Sequence, residues 1–282
     1  MIKLFAKAAL SLLVTVLLWV SAVDTCFAGA WTMKKGKLYD RMAFNYYYAD
    51  DEFNRSGDRS GFPDNGNFRD INLNNYIEYG LLDNLTLINS VYYKMIRKKD
   101  NNQEQKTQGI GDIDLGAKTQ MMKIADGILS AQALVKLPWI YDSGDDLPLG
   151  NGQVDLELRL LYGRSLYPYI PGYCNFELGY RWRIQDPSDE VRYLVEFGMD
   201  FTKKFYGRIK LDGILSMDNG QDLDAAGNPA ATNNFDLGKL DMTLGYKLSK
   251  TWGMEMGLTP EIYGKNTAAG AMYTFAVTYQ IP

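Results

Sequence analysis

The sequence of 282 residues has no His and only two Cys. Without His, neither a Ser-His-Asp triad nor a Cys-His pair can form, and no metal or haem has a His ligand. Two Cys make neither a Cys-rich zinc site nor a disulfide framework. A basic excess is also missing, since 30 Lys and Arg face 34 Asp and Glu, which disfavours a nucleic-acid partner. We therefore expect no enzyme activity, no cofactor and no bound metal.

Long apolar runs are missing as well, apart from one near the start. Residues 8–20 are apolar except for Ser11 and Thr15, and Lys3 and Lys7 precede them. The run is shorter than the ~20 residues of a membrane-spanning helix, and small residues follow it up to Ala28. This pattern predicts a secretory signal peptide over residues 1–28, with an uncleaved anchor as the alternative. Residues 29–282 are then a single domain.

What the rest of the chain does contain is alternation of apolar and polar residues, in a sequence with 20 Tyr and 27 Gly. Alternation with a period of two is typical of strands. Twelve segments show it: 38–49, 69–79, 85–96, 109–121, 128–137, 154–166, 173–184, 191–201, 205–216, 239–248, 252–263 and 271–281.

The connections between these segments tend to alternate in length. Long ones cover residues 50–68, 97–108, 138–153 and 217–236, whereas 82–84, 123–127, 202–204 and 249–251 are short. Long loops at one end and tight turns at the other are typical of membrane barrels. The sequence thus predicts an all-β fold, a transmembrane antiparallel up-and-down β-barrel of about 12 strands.

The apolar faces distinguish this barrel from a secreted soluble β protein, which is the alternative. They carry almost no charge, and Asn75 and Asn89 are the polar exceptions within them. A lipid-facing surface requires this, because a charge at the bilayer midplane costs ~2–4 kcal/mol. Aromatic residues also gather near strand ends, as interfacial girdles do. These are Tyr46 to Tyr48, Tyr92, Tyr93, Trp139, Tyr141, Trp182, Trp252 and Tyr263.

The polar faces then form the interior, and their charges balance. The predicted lumen-facing cations are Arg41, Lys94, Lys118, Lys136, Arg159, Arg181, Arg183, Arg192, Arg208, Lys210, Lys239 and Lys247. The predicted lumen-facing anions, equal in number, are Glu78, Asp112, Asp114, Asp155, Glu157, Glu177, Glu196, Asp200, Asp212, Asp241, Glu255 and Glu261. A strongly ion-selective pore would show an excess of one sign. Balance indicates cross-strand ion pairs, in either a narrow channel or a nearly closed barrel.

Two groups of carboxylates have a spacing that could form a metal-binding or a catalytic site. Asp218, Asp222 and Asp224 have calcium-like spacing, but the bidentate Glu of a calcium loop is missing, so we interpret them as a solvated loop. Asp112 and Asp114 could be an acid-base pair. With Lys118 and other cations on the same face, we interpret them as part of a salt network.

Three motifs carry a family resemblance. They are Gly29-Ala30-Trp31-Thr32 followed by Lys35-Gly36-Lys37, the segment from Gly109 to Lys118, and Lys136-Leu137-Pro138 leading to Leu149-Gly150-Asn151-Gly152. In order and spacing the chain resembles the outer-membrane barrels named for the MetA pathway of phenol degradation. The resemblance implies uptake of aromatic or other hydrophobic compounds, and for some members a cell-surface or biofilm-matrix role. It supplies no catalytic or binding residues.

Together these patterns predict a channel or transporter for small molecules in the outer membrane of a diderm bacterium. Its expected partners are outer-membrane lipid, a small solute and the barrel-assembly machinery during insertion. Two alternatives from other classes stay open. One is a structural barrel without transport. The other is a barrel enzyme, which the absence of His disfavours because His most often performs acid–base catalysis.

Overall fold

The computed structural model describes residues 29–138, 141–184, 187–218 and 234–281. The predicted signal peptide, residues 1–28, lies outside them, as do Trp139 and residues 219–224 of the Asp-rich loop.

The described chain is built from strands. They are β1 (Leu38–Phe53), β2 (Arg59–Gly61), β3 (Asn67–Leu82), β4 (Leu85–Lys99), β5 (Glu104–Ile124), β6 (Gly127–Leu137), β7 (Asp155–Ser165), β8 (Gly172–Arg183), β9 (Glu190–Asp200), β10 (Phe205–Ser216), β11 (Asp236–Lys247), β12 (Trp252–Lys265) and β13 (Thr267–Gln280). A single turn of 3-10 helix, Pro63–Asn65, is the one helical element there. No helix among the described residues is long and apolar enough to cross a membrane.

Twelve of the strands form a closed antiparallel barrel. Each strand from β3 to β13 pairs with its sequence neighbour, β1 pairs with β3, and β13 returns to β1 to close the sheet. Tyr39 lies opposite Gln280 at one end of this last pair, and Phe53 opposite Thr267 at the other. The short β2 pairs with β1 as an extra strand in the first long connection. The predicted up-and-down barrel is confirmed.

The barrel has two distinct ends. At the first, which we call the turn end, β1 begins, β13 ends and tight turns such as Asp83-Asn84 join the strands. At the second, the loop end, lie the longer connections, including residues 54–66 and 138–154. Two connections there are short, namely residues 100–103 between β4 and β5 and Asn266 alone between β12 and β13. The long connection predicted over residues 97–108 is therefore wrong, because backbone pairing of β4 and β5 continues into it.

Alternation along each strand separates the two faces of the wall. On β7, Leu158 is 55% exposed whereas its neighbour Glu157 is 2% exposed. Leu156 and Leu160 point the same way as Leu158, because successive side chains of a strand point to opposite faces. Apolar side chains therefore cover the outside of the barrel, and charged side chains fill its inside. Asn75, one of the polar exceptions on the outside, donates a 2.6 Å hydrogen bond to Asp40.

Several strands extend beyond the predicted segments, most of all at the loop end. The structure begins β5 at Glu104 and ends β4 at Lys99, although apolar alternation covers only 109–121 and 85–96. Near the loop end the outward positions become charged, and Arg97 lies opposite Lys106. Backbone pairing continues there although the apolar pattern has stopped, so the pattern underestimates the strand length.

The aromatic girdles were predicted only in part. Tyr48 and Trp182 are exposed on the outside near the loop end, and Trp252 is exposed at the turn end. Tyr47 and Tyr92, however, point inside: Tyr47 bonds to Glu261, and Tyr92 lines an internal cavity. The prediction from aromatics near strand ends is wrong for these two, because position along the strand does not determine which face a residue occupies. It is also wrong for Tyr141, which lies on a loop that enters the barrel and bonds to Asp112.

Candidate functional site

The interior of the barrel holds an ion network across β7 and β8. Arg159 reaches Glu157 and Glu177, each at 2.6 Å, and Arg181 Nη2 lies 2.8 Å from Glu157 Oε2. Glu157 thus accepts from two guanidinium groups while buried in the wall. Charge-assisted contacts of this kind satisfy carboxylates that burial would otherwise destabilise.

A second network lies near the turn end, around Glu255. This carboxylate is almost fully buried and contacts Arg41 at 2.7 Å and Arg208 at 3.2 Å. The Tyr206 hydroxyl donates a third contact at 2.8 Å. Because β12 carries Glu255 while β1 and β10 carry the two arginines, the contacts join strands that are not neighbours in the wall.

The other predicted lumen-facing residues also lie on the inner face, and most are paired. Further contacts include Lys118–Glu78 at 3.3 Å, Lys94–Asp70 at 3.3 Å, Lys136–Asp155 at 2.8 Å, Lys210–Asp241 at 3.6 Å, Lys239–Asp212 at 3.3 Å, Lys247–Asp200 at 2.8 Å, Arg183–Glu190 at 3.2 Å, Tyr173–Glu196 at 2.5 Å and Tyr47–Glu261 at 2.6 Å. Sequence reasoning missed Asp70 and Glu190. Glu190 lies one inward position before Arg192 on β9, and Asp70 lies one inward position before Asn72 on β3.

The N-terminal segment, residues 29–37, lies inside the turn end. The backbone N–H of Ala30 donates to Asn175 Oδ1 at 3.1 Å, and the Ser130 hydroxyl donates to the Ala30 carbonyl at 2.5 Å. Lys118 Nζ donates to the Gly29 carbonyl at 2.6 Å. Ala30 is fully buried, and the Trp31 ring packs edge-on against Tyr173. The segment thus covers the inside of the turn end.

The inserted loop, residues 141–154, lies in the mouth of the loop end. Leu147 and Leu149 are buried there against Phe68 and Ile96 of the inner wall. A surface loop would expose these leucines, so their burial fixes the segment inside the barrel. The sequence did carry a signal for this, since the two leucines stand in an otherwise polar connection.

Polar contacts also hold the inserted loop against β5 and β6. The Tyr141 hydroxyl donates to Asp112 Oδ1 at 2.5 Å, and Lys136 Nζ donates to Asn151 Oδ1 at 2.5 Å. Burial raises the pKa of Tyr141 above its ordinary value, and the hydrogen bond to the Asp112 carboxylate raises it further. The phenol therefore stays protonated and remains a hydrogen-bond donor at neutral pH.

Next to the inserted loop, the lumen contains an open cavity of about 300 Å³. Its lining contains equal numbers of acidic and basic side chains. Acidic and basic side chains are interspersed around it: Lys94 on β4 lies 3.3 Å from Asp70 on β3, Lys136 on β6 lies 3.5 Å from Asp112 on β5, and Arg183 on β8 lies 3.2 Å from Glu190 on β9.

Asp114 on β5 and Arg192 on β9, which also line the cavity, retain free bonding capacity. Asp114 Oδ1 is buried and has no hydrogen-bond partner among the described residues. The nearest carboxylates to Arg192 are Glu190 at 3.5 Å and Glu157 at 3.7 Å, which is beyond a good hydrogen bond. A solute in the cavity would therefore meet one unpaired acceptor and one loosely paired guanidinium.

Comparisons with known proteins identify the architecture. No protein-family model matches the chain, and no curated protein matches it in sequence. Among solved structures, the COG4313 outer membrane channel from Pseudomonas putida F1 superposes with a TM-score of 0.69 at 14% identity, covering 93% of this chain and all of that one. The KdgM porin has a TM-score of 0.50 at 8% identity, covering 85% of this chain and 99% of its own. The chain therefore has the fold of outer-membrane channels and porins.

Proposed function

We propose that this protein is an outer-membrane channel that passes small polar solutes through its lumen. The observation that carries the proposal is the internal cavity, with the unpaired Asp114 and the loosely paired Arg192 facing it. An interior built only for stability would pair every buried charge, since an unpaired one is costly. Groups left with spare capacity can bind a solute transiently as it passes.

The chemistry of the cavity favours polar over apolar solutes. Acidic and basic side chains lie side by side around it, and a solute with both donors and acceptors can bond to both kinds. An aromatic hydrocarbon would displace the water around these charges and return no hydrogen bond. The proposed solute class therefore differs from the hydrophobic compounds that the family resemblance implies.

Conductance in planar lipid bilayers tests the channel. We expect small, steady openings from the purified protein. In a salt gradient, Asp114→Asn should shift the reversal potential toward anion selectivity and Arg192→Gln toward cation selectivity, because each removes one charge from the cavity. Asp126→Asn is the matched control, since Asp126 is exposed in the turn between β5 and β6. Equal shifts for all three variants would contradict a conducting path through the cavity.

A structural barrel without transport is the second candidate, and the covering of both ends favours it. The N-terminal segment occupies the turn end, and the inserted loop occupies the mouth. A barrel of this kind would be silent in the bilayer, and it would stay silent when either cover is loosened. A channel with movable covers would conduct more in those variants.

We further infer that the chain belongs to the MetA-pathway family, which the order of the three sequence motifs supports. We also infer that the barrel-assembly machinery inserts it.

We infer that the protein is exported by a cleaved signal peptide over residues 1–28. Burial of Ala30 supports a mature start near Gly29, because the segment that follows already lies within the barrel. N-terminal sequencing of protein extracted from outer membranes tests the cleavage site, with Gly29 expected as the first residue.

A further inference from the structure

A row of cations lies on the outside of the barrel at the loop end. Arg69 on β3 lies opposite Arg97 on β4, and Arg97 lies opposite Lys106 on β5. We call these three residues the basic row. They stand on three neighbouring strands in direct register, so their side chains are neighbours on one surface.

The basic row borders the lipid-facing surface. Two positions nearer the turn end, the same strands carry Ile71 and Met95, which lie on the apolar outer face together with Leu73 and Tyr93. Two residues of a strand span about 6.6 Å, so the cations lie just above the apolar band. Tyr48 on β1 lies opposite Arg69 and extends the row with an exposed aromatic ring.

The row is not neutralised by the protein. Like charges directly opposite each other destabilise a sheet. Glu104 contacts Arg97 at 2.6 Å and Lys106 at 2.8 Å, which leaves an excess of positive charge. Arg69 Nε is buried and has no hydrogen-bond partner within the described part of the chain. With three cations and one contacting carboxylate, the row can bind an anion from outside the protein.

The positive charge of the basic row does not recur on the outward faces of β8 and β10. On β8 and β10 the exposed outward residues near the same end are apolar, namely Trp182, Ile184, Leu215 and Met217. A general attraction to the membrane surface would not require cations on β3, β4 and β5 in particular. The clustering indicates a single ligand that spans the three strands.

We propose that the basic row binds the phosphorylated headgroup of a membrane lipid. Arg binds phosphate through parallel hydrogen bonds, and Arg69, Arg97 and Lys106 together can contact two phosphate groups. The apolar surface of β3 and β4 beneath the row then takes the acyl chains. Because the long loops of outer-membrane barrels lie on the extracellular side, this lipid belongs to the outer leaflet.

Native mass spectrometry of the purified full-length mature protein tests the site, with diphosphorylated lipid A as the probe. The test variant is Arg69→Gln/Arg97→Gln/Lys106→Gln. The matched control is Arg164→Gln/Lys204→Gln/Lys250→Gln, which removes three cations at the turn end. We expect the parent and the control to bind the lipid alike, and the test variant to bind at least about tenfold more weakly, since a charged hydrogen bond contributes that much.

Three further measurements make the result decisive. Lipid A stripped of its phosphates should bind the parent as weakly as the intact lipid binds the test variant, and inorganic phosphate at equal concentration should not displace the lipid. Equal binding of both lipids, displacement by phosphate, or unchanged binding by the test variant would overturn the proposal. Heat-modifiable mobility checks that the test variant folds, and Arg69→Gln alone replaces it if it does not. Conductance is not read in this experiment, so its outcome is independent of the channel proposal.

Discussion

Single side chains show which solvent each face of the wall meets. Along β7, the exposed Leu156, Leu158 and Leu160 alternate with the buried Asp155 and Glu157. Residues only one position apart on β7 therefore meet different surroundings. The outward face excludes charged side chains, and the inward face carries them.

Replacing Leu158 with Arg should impair barrel assembly. The side chain is 55% exposed on the lipid-facing side, and an Arg near the bilayer midplane costs about 2–4 kcal/mol. The measurement is the folded fraction by heat-modifiable mobility, followed by the free energy of unfolding in urea. Tyr169→Arg, at the exposed turn between β7 and β8, is the control and should fold like the parent. Normal stability of Leu158→Arg would mean that this face does not meet lipid.

Gly150 allows the inserted loop to pack closely. A Cβ at this position would lie 2.7 Å from Asp112 Oδ1 and would also overlap the Tyr141 hydroxyl. Gly150→Val should therefore push the loop away from the wall, break the Tyr141–Asp112 hydrogen bond and raise single-channel conductance. Gly144→Val is the control, because Gly144 lies in the same loop with only the Asp142 carboxylate close by. A lower conductance in Gly150→Val than in the control would show that the loop is not the obstruction.

Two segments cover the ends of the barrel: the inserted loop covers the loop end, and the N-terminal segment covers the turn end. The inserted loop is held by an apolar cluster and by Tyr141, whereas the N-terminal segment is held mainly by hydrogen bonds to Lys118, Ser130 and Asn175. Hydrogen bonds in a wet lumen contribute little net stability, about 0.5–1.5 kcal/mol each. The N-terminal cover is therefore the easier one to release.

The double variant Ser130→Ala/Asn175→Ala should release that cover. It removes the hydrogen bonds that hold both backbone groups of Ala30, and the mean conductance or its open probability should rise. Ser90→Ala/Asn74→Ala is the matched control, since it removes a serine and an asparagine that bond to each other at 3.1 Å on the inner wall. If both double variants conduct alike, the N-terminal segment does not limit the current.

For the whole molecule, closure of β13 onto β1 removes every free sheet edge except that of the short β2. In lipid this matters because an unpaired backbone N–H or carbonyl has no water to bond. The even number of strands also brings both ends of the barrel chain to the turn end.

Epitope tags should show which way the barrel spans the membrane. A tag at Gly57, in the exposed connection between β1 and β2, should bind antibody on intact cells, because long loops of such barrels lie outside. A tag at Lys203, in the turn between β9 and β10, should bind only after permeabilisation. The opposite labelling pattern would place the turn end outside and move the lipid site to the inner leaflet.

The sequence alone determined the strand number, the up-and-down order and the two faces of the wall. Each of these depends on a local pattern: period-two alternation sets the face of Leu158 against that of Glu157, and connection length distinguishes the two ends. The inward charges could be selected for the same reason, because a residue's face follows from its neighbours along the strand.

What fills the lumen and which charges pair depend on the three-dimensional arrangement of the strands. Glu255 on β12 meets Arg41 on β1 and Arg208 on β10, and the inserted loop meets the wall at Asp112 and Phe68. These contacts depend on barrel curvature and strand register, which bring together residues that are distant in sequence. The alternation of one strand contains no information about its partner's register, so neither the unpaired Asp114 nor the row of Arg69, Arg97 and Lys106 could be predicted from it.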